Sequence, residues 1–201
     1  MDTKRVNAII PLAILQTVRQ LDQRVPEGLE EYRRLGNSTT VAAEIERYRK
    51  LVRGGADVAA EEVAQLFRLI GRRPDAGLVF SDAGRRAANE AADGLSVASR
   101  CALRVAPSFL SRRLGLASAT RIAVDVFGVN MVVDEHDGIV ADADLPSAHG
   151  IPERGGCGFF GAALAELLRL LTDFDGAMVH AACRTRGDGA CRWHTGKNSR
   201  W

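Results

Sequence analysis

The sequence predicts an α+β fold, in which N-terminal helices are followed by a small, mostly antiparallel sheet that packs with helices. Apolar residues recur at helical spacing through the first half, whereas short β-branched runs punctuated by glycine dominate the second half. With 201 residues, 46% of them apolar, the chain is long enough to bury a core without disulfides. We divide it into a helical region, 1–94, and an α+β region, 95–201, which we expect to form one compact unit.

Five helices are expected before the sheet. Ser38 or Thr39 is the expected N-cap of the second helix, and the Gly54-Gly55 pair is its expected end. The predicted ranges are 9–21, 40–52, 60–70, from after Ser81-Asp82 to about 92, and 95–116, the last with a kink or break at Pro107.

The second half contains the expected strands and one more helix. Residues 121–127 and 130–133 have strand character, and a short strand is expected near Ile139-Val140. Apolar residues on one helical face predict a helix over 158–171. The segments 176–184 and 190–195 then form a hairpin around the turn Gly187-Asp188-Gly189.

Composition argues against two classes of partner. No window holds 18 uninterrupted apolar residues, so no membrane span is expected. The apolar run after the first residues is interrupted by Asn7 and Pro11 and does not resemble a signal peptide, so a cytoplasmic location is expected. The arginines are spread along helical patterns with acids between them, as on solvated helix surfaces. We therefore expect no nucleic-acid partner.

Three of the four cysteines fall between residues 157 and 191, which predicts a local site instead of a disulfide scaffold. Cys157 stands at the start of a predicted helix, where free N–H groups favour a thiolate. Cys183 and Cys191 flank the hairpin turn. If a three-residue loop joins the strands, they are diagonal neighbours on one face, at a separation that a metal can bridge. With His180 they form a ligand set of a type that binds zinc.

Two points about this site stay open. His180 and Cys183 are three residues apart, so a regular strand would direct them to opposite faces. A shared site needs a bulge, or a strand that ends before Cys183. His194 is the substitute fourth ligand if His180 points away. The alternative to a metal site is that the cysteines are small buried side chains, which is our interpretation of the isolated Cys101.

The segment from His180 to Trp193 resembles the closing hairpin of the 4-vinyl-reductase domain. That small-ligand-binding family has an α+β fold similar to that of the TRAPP vesicle-tethering subunits. In its zinc-bearing members, such as the sensor domains of phenol-responsive activators, a cysteine before the last helix joins a carboxylate and two hairpin cysteines. The resemblance implies a structural Zn²⁺, with His180 standing where those sensors carry Glu. The implied ligands are Cys157, His180, Cys183 and Cys191.

The resemblance extends over nearly the whole chain. The segments 6–16, 58–70, 83–86 and 107–116 follow the layout of the family's bacteriochlorophyll-pathway members. This implies a role in bacteriochlorophyll biosynthesis, and so in photosynthesis, linked to the 4-vinyl reduction step and with the enzymes of the pathway as partners. The sequence shows no ATPase or DNA-binding segment, which favours a pathway protein over a transcription activator.

Whether the chain is itself an enzyme stays open at this point. A vinyl reduction needs an electron or hydride donor. The sequence has no GxGxxG after a strand, no P-loop and no spare cysteine set for an iron–sulfur cluster. We therefore favour a binding, carrier or accessory protein for a chlorophyllide-type tetrapyrrole or another hydrophobic small molecule. The alternatives are the catalytic 4-vinyl reductase itself and a module that senses small aromatic ligands.

An apolar cleft would serve such a ligand. The helices over 95–116 and 158–171, packed on a short sheet, can leave a concave apolar site between them. Its expected lining is Phe109, Phe127, Phe159 and Phe160, each of which is also suited to an ordinary core. His136 and His149 are candidate axial ligands for a bound magnesium, or else surface loop histidines.

A homodimer is also expected. The helix over 9–21 offers an apolar stripe near a chain end that a single domain need not cover, and related domains pair. A two-fold dimer is the commonest soluble oligomer.

Overall fold

The computed structural model describes residues 5–23, 35–96, 105, 107–134, 138–143 and 155–195. Within these ranges the chain is mixed helix and sheet, which confirms the α+β class. The helices are α1 (Ile9–Gln23), α2 (Thr39–Arg53), α3 (Ala60–Gly71), α4 (Ala76–Asp93), α5 (Ser108–Phe127) and α6 (Gly155–Thr172). The strands are β1 (Arg5–Asn7), β2 (Asp57–Ala59), β3 (Asn130–Asp134), β4 (Gly138–Ala143), β5 (Met178–Ala182) and β6 (Cys191–Thr195).

The first three helices follow their predicted ranges closely. The hydroxyl of Ser38 accepts a hydrogen bond from the backbone N–H of Val41 and so caps α2, as the sequence indicated. The helix ends at Gly54, and Gly55 has a φ of +64°. Between α2 and α3, strand β2 pairs antiparallel with β1 in a two-stranded sheet.

Helix α4 begins earlier than the sequence predicted. We expected it after Ser81-Asp82, but it starts at Ala76. Val79 and Phe80 are fully buried on the same face as the later alanines, and burial of that face extends the helix upstream. Asp82 lies inside the helix and pairs with Arg85 one turn later.

The expected strand over residues 121–127 is wrong, because this segment is the last part of α5. Ile122, Ala123 and Phe127 recur at helical spacing and are buried in the core. Their packing overrides the strand propensity of the β-branched residues around them. The helix ends at Gly128, which takes the left-handed conformation at a φ of +65°. Pro107, where the sequence predicted a kink or a break, lies immediately before the first residue of α5.

The main sheet has four strands in the order β3-β4-β6-β5, and all neighbouring pairs are antiparallel. Strands β3 and β4 confirm the predictions for 130–133 and for Ile139-Val140. Strand β3 stands at one edge. The closing hairpin does not have the three-residue loop that was the condition for placing Cys183 and Cys191 as diagonal neighbours. The connection from β5 to β6 runs from Cys183 to Ala190 and contains a 3₁₀ turn at Arg184–Arg186.

One hydrophobic core joins the helices to the sheet and includes residues from both predicted regions. Helices α4 and α6 approach closely because Gly84 leaves room for the α6 backbone. A Cβ at this position would lie 2.2 Å from the carbonyl oxygen of Phe159. Gly115 of α5 has the same function against Leu171 of α6. No helix in the described ranges is long and apolar enough to cross a membrane.

Helix α1 does not present the free apolar stripe on which the dimer prediction relied. It packs against α2 and α4 of the same chain. Its apolar residues are buried there, namely Ile10, Leu12, Ala13, Ile14, Leu15 and Val18. The stripe is covered within the chain, so the homodimer stays a prediction without that argument.

Candidate metal centre

Cys157, His180, Cys183 and Cys191 lie together where the first turn of α6 meets the closing hairpin. One potential ligand atom from each residue falls within 4.8 Å of all the others. The three cysteines are buried and free of disulfides, and His180 is half-buried. The structure thus brings together all four residues of the predicted set, and the cluster can bind a metal ion.

Helix α6 positions Cys157. This residue is the third of the helix, where backbone N–H groups and the helix dipole favour a negative sulfur. Phe159 and Phe160, in the same turn of the helix, are buried in the core, and both rings contact Phe67 of α3. Cys157 therefore lies on a helix that core packing holds in place.

The geometry of the hairpin explains how His180 and Cys183, three residues apart, can lie on the same side. The register of β5 with β6 shifts between His180 and Ala182, which is a β-bulge. Strand β5 also ends at Ala182, one residue before Cys183. Both of the conditions under which His180 and Cys183 can share a site are therefore met.

A tight loop holds Cys183 in place. Its backbone N–H donates to the carboxylate of Asp188 at 2.6 Å, and its carbonyl oxygen accepts from the N–H of Arg186 at 2.9 Å. Gly187 turns the chain back with a φ of +94°, a conformation that favours glycine. The Thr185 hydroxyl lies 2.9 Å from the Cys183 sulfur. Such outer partners orient a metal ligand and stabilise its charged form.

His180, and not His194, faces the three sulfurs. Residues 191, 193 and 195 of β6 are buried on the face that carries Cys191. His194 lies on the opposite face, and its Nδ1 is 3.0 Å from the carbonyl oxygen of Thr195. The imidazole of His180 stacks on the indole of Trp193, with ring centroids 5.0 Å apart, and this contact sets the plane of the ring.

Two of the sulfur–sulfur distances agree with a tetrahedral metal site. The Cys157 sulfur is 3.7 Å from that of Cys183 and 3.7 Å from that of Cys191. These separations are far beyond a disulfide bond of about 2.05 Å. They agree with the edge of a tetrahedron in which each sulfur lies about 2.3 Å from a central zinc, which is about 3.8 Å.

The cluster favours one thiolate even without a cation. The pKa of Cys191 is lowered, because the Cys157 thiol donates a hydrogen bond to its sulfur and the His180 ring and the Arg184 backbone lie nearby. The same hydrogen bond, together with burial, raises the pKa of Cys157. Three sulfurs this close repel one another once they are ionised, and a bound cation relieves that repulsion.

The imidazole of His180 gives a further argument for a metal ligand at this position. Its Nε2 is buried and has no hydrogen-bond partner in the part of the chain that the structure describes. A buried polar atom is normally satisfied, and leaving one unsatisfied costs about 1–3 kcal/mol. A neutral imidazole nitrogen beside three sulfurs is a donor that suits a borderline transition metal. The donor set therefore fits a metal.

The four phenylalanines predicted to line a ligand cleft do not lie together. Phe127, Phe159 and Phe160 are buried and contact one another as part of an aromatic cluster in the core. Phe109 is 71% exposed on α5. Their role in ligand binding stays a prediction. His136, His149 and Cys101 lie outside the described residues.

Sequence reasoning missed the residues that support the cluster. Thr185, Asp188 and the stacking face of Trp193 were not singled out, although Gly187-Asp188-Gly189 was correctly predicted to turn the chain. Two local features of the sequence could have indicated them: a hydroxyl two residues after Cys183, and a carboxylate in the turn that follows. Asp in such a turn commonly accepts from a nearby backbone N–H.

A groove of about 490 Å³ opens beside the cluster, with Cys157, His180 and Trp193 among its lining residues. Gly158 and Gly161 of α6 leave space on its helical side. Comparison with known proteins adds nothing to this geometry: the chain matches no protein-family model, no curated protein and no solved structure.

Proposed function

We propose that Cys157, His180, Cys183 and Cys191 bind one Zn²⁺ and that this metal is structural. The observation that carries the proposal is the pair of 3.7 Å sulfur–sulfur distances, which are close to the edge of a tetrahedral thiolate site, about 3.8 Å. All four positions are protein groups, so none is left for water or substrate. Sites of this kind stabilise a fold, whereas catalytic zinc keeps an open position.

The donor types narrow the choice of metal. Thiolates and imidazole are soft or borderline ligands that favour zinc over magnesium or calcium, both of which prefer oxygen. When bound, the ion supplies a cross-link and no chemistry. Cys157 anchors it to α6, while Cys183 and Cys191 anchor it to the two sides of the hairpin loop. Reducing conditions, such as those of the cytoplasm, keep these thiols available.

For the wider function we propose a carrier or accessory protein for a chlorophyllide-type tetrapyrrole in bacteriochlorophyll biosynthesis, linked to 4-vinyl reduction. The fold would then be similar to that of TRAPP-subunit-like ligand-binding domains. The support is the resemblance of the hairpin that holds the cluster to the 4-vinyl-reductase domain. Open grooves of about 490, 650 and 710 Å³ on the described surface supply sites of suitable volume.

A binding role is favoured over catalysis by the cluster itself. A metal with four protein ligands cannot polarise a substrate without losing one of them. The grooves on the described surface are open, which suits a carrier that must release its ligand to an enzyme.

The experiment is an anaerobic assay of the purified protein with divinyl chlorophyllide, with and without a chemical reductant. The proposal predicts a shift of the pigment's absorption bands on binding and no reduction of the vinyl group. Turnover by the protein alone would establish the catalytic alternative. Binding of phenols with no binding of chlorophyllide would establish the sensor alternative.

A further inference from the structure

We propose that the open groove between α5 and β3 binds a flat apolar ligand and pairs the carboxylate of that ligand with Arg113. This inference rests on the proposed carrier function and names its site and the chemistry of recognition. The groove encloses about 650 Å³, within the range of sites that bind cofactor-sized molecules. Its apolar walls are built by Leu116, Ala117, Val124 and Val133.

Many of the exposed hydrophobic side chains belong to α5 and β3, the two elements that form this groove. Eleven large hydrophobic side chains are exposed in the described part of the chain, and seven of them lie between residues 105 and 133. These seven are Val105, Phe109, Leu110, Leu114, Val124, Val132 and Val133. Val124 and Val133 line the groove itself, and exposed apolar side chains that line a groove are typical of a binding site.

The charges in the groove select an anion. Arg113 is exposed and makes no ion pair or hydrogen bond with any described residue. Arg121 pairs with Asp125 at 3.3 Å, one turn along the same helix, so the negative charge of Asp125 is already compensated. One guanidinium is therefore left for a ligand, and its planar geometry matches a carboxylate.

Phe109 extends the same helical face. It lies four residues before Arg113, so its side chain stands one turn away on the same side of α5. It is 71% exposed, and an aromatic ring in that position can stack on a flat ligand. Of the four phenylalanines predicted to contact a ligand, Phe109 is the one that the structure leaves accessible.

A second copy of the chain is a poorer occupant than an anionic ligand. In an antiparallel pairing of α5 centred on Ala117, Arg113 would lie level with the partner's Arg121. Like charges that approach across an apolar contact oppose association. A flat molecule with one carboxylate instead satisfies the apolar walls and the unpaired arginine together.

The test uses pheophorbide a, a metal-free chlorin with one free carboxylate, and its methyl ester, which lacks that charge. Binding is followed by fluorescence with wild type, Arg113→Gln, Ala117→Trp and Arg72→Gln. Arg72 is an exposed arginine at the end of α3, remote from the groove in sequence and absent from its lining, and is the matched control. Thermal melting confirms that each variant is folded.

We expect wild type and Arg72→Gln to prefer the acid over the ester about tenfold. Arg113→Gln should bind both forms equally and weakly, and Ala117→Trp, which fills the groove, should bind neither. Acid binding that is unchanged in both groove variants would overturn this site and leave the carrier proposal standing. Failure of wild type to bind either chlorin would instead count against the carrier function itself. A dimer in sedimentation that Ala117→Trp dissociates would show that a second copy occupies the face.

Discussion

The sulfur of Cys157 lies 3.7 Å from that of Cys183, although 26 positions separate the two residues in the sequence. One is in the first turn of α6, and the other directly follows β5. Both are held by their own elements, through the buried aromatics after Cys157 and the hydrogen bonds around Cys183. The fold thus brings four potential metal ligands together. If they bind an ion, as we propose, the stability of the fold should depend on that ion.

Removing the metal should destabilise the chain markedly. Binding free energy at a thiolate site is also folding free energy, since the unfolded chain does not present the site. At a free zinc concentration a thousand times Kd, the contribution is about 4 kcal/mol, which is about 10 °C in Tm for a chain of this length. We expect a strong chelator to lower Tm by about that amount, as measured by differential scanning calorimetry.

Cys183→Ser and Cys191→Ser should each reproduce the effect of the chelator and become insensitive to it. Cys101→Ser is the control and should retain both metal and chelator sensitivity. If a chelator leaves the Tm of wild type unchanged, a metal bound to the cluster does not stabilise the fold, and this prediction is wrong.

The two histidines of the hairpin should behave differently. His180→Ala removes the imidazole that faces the sulfurs and should lower zinc affinity at least tenfold, a typical minimum for a changed metal site. His194→Ala alters the opposite face of β6 and should bind zinc like wild type. Competition with a chromogenic chelator measures both affinities. If His194→Ala were the variant that lost zinc, our assignment of the fourth ligand would be wrong.

The sequence predicted the ligand set better than it predicted the loop that presents it. Residue types and intervals indicated Cys157, His180, Cys183 and Cys191, with His194 as the substitute for His180. The connection from Cys183 to Ala190 is longer than the three-residue loop considered from the sequence, because it is organised by side-chain bonds, such as that of Asp188 to the Cys183 N–H. Bonds of this kind leave no periodic signal in a sequence.

The error over residues 121–127 has a different cause. A run of β-branched and aromatic residues predicts a strand locally, yet burial of Ile122 and Phe127 against the core keeps it in α5. Tertiary packing decided the outcome, and a single sequence does not reveal which partners a segment will pack against. The start of α4 at Ala76 was missed for the same reason, because burial of Val79 and Phe80 extends that helix upstream.

Two glycines of α4 should respond to alanine in opposite directions. At Gly84 the added Cβ would lie 2.2 Å from the Phe159 carbonyl oxygen, so α4 and α6 must separate, at a cost of about 1–3 kcal/mol or more. At Gly77 nothing lies within 4 Å of the new Cβ. Alanine is there the better helix former by up to about 1 kcal/mol. Urea unfolding of both variants measures the difference.

Because α6 carries Cys157, Gly84→Ala should also weaken zinc binding, whereas Gly77→Ala should not. Equal stability of the two variants would contradict the close approach of α4 and α6.

A buried ion pair should contribute strongly to the stability of the helical region. The guanidinium of Arg73 donates to the carboxylate of Asp22 at 2.8 Å, and the two side chains are only 4% and 1% exposed. The backbone N–H of Gly36 donates to the same carboxylate. Arg73→Leu leaves this carboxylate buried without its cation, which should cost about 3–5 kcal/mol in urea unfolding. Arg72→Leu, at the exposed neighbour, should cost less than about 0.5 kcal/mol.

The most direct test of the central claim is the metal content of protein purified without affinity metals or chelators, measured by elemental analysis against the protein concentration. We expect one zinc per chain in wild type and a loss of that zinc in Cys191→Ser. A content well below one metal per chain, with no uptake of added zinc, would contradict the claim. The cluster would then be three buried cysteines and a histidine.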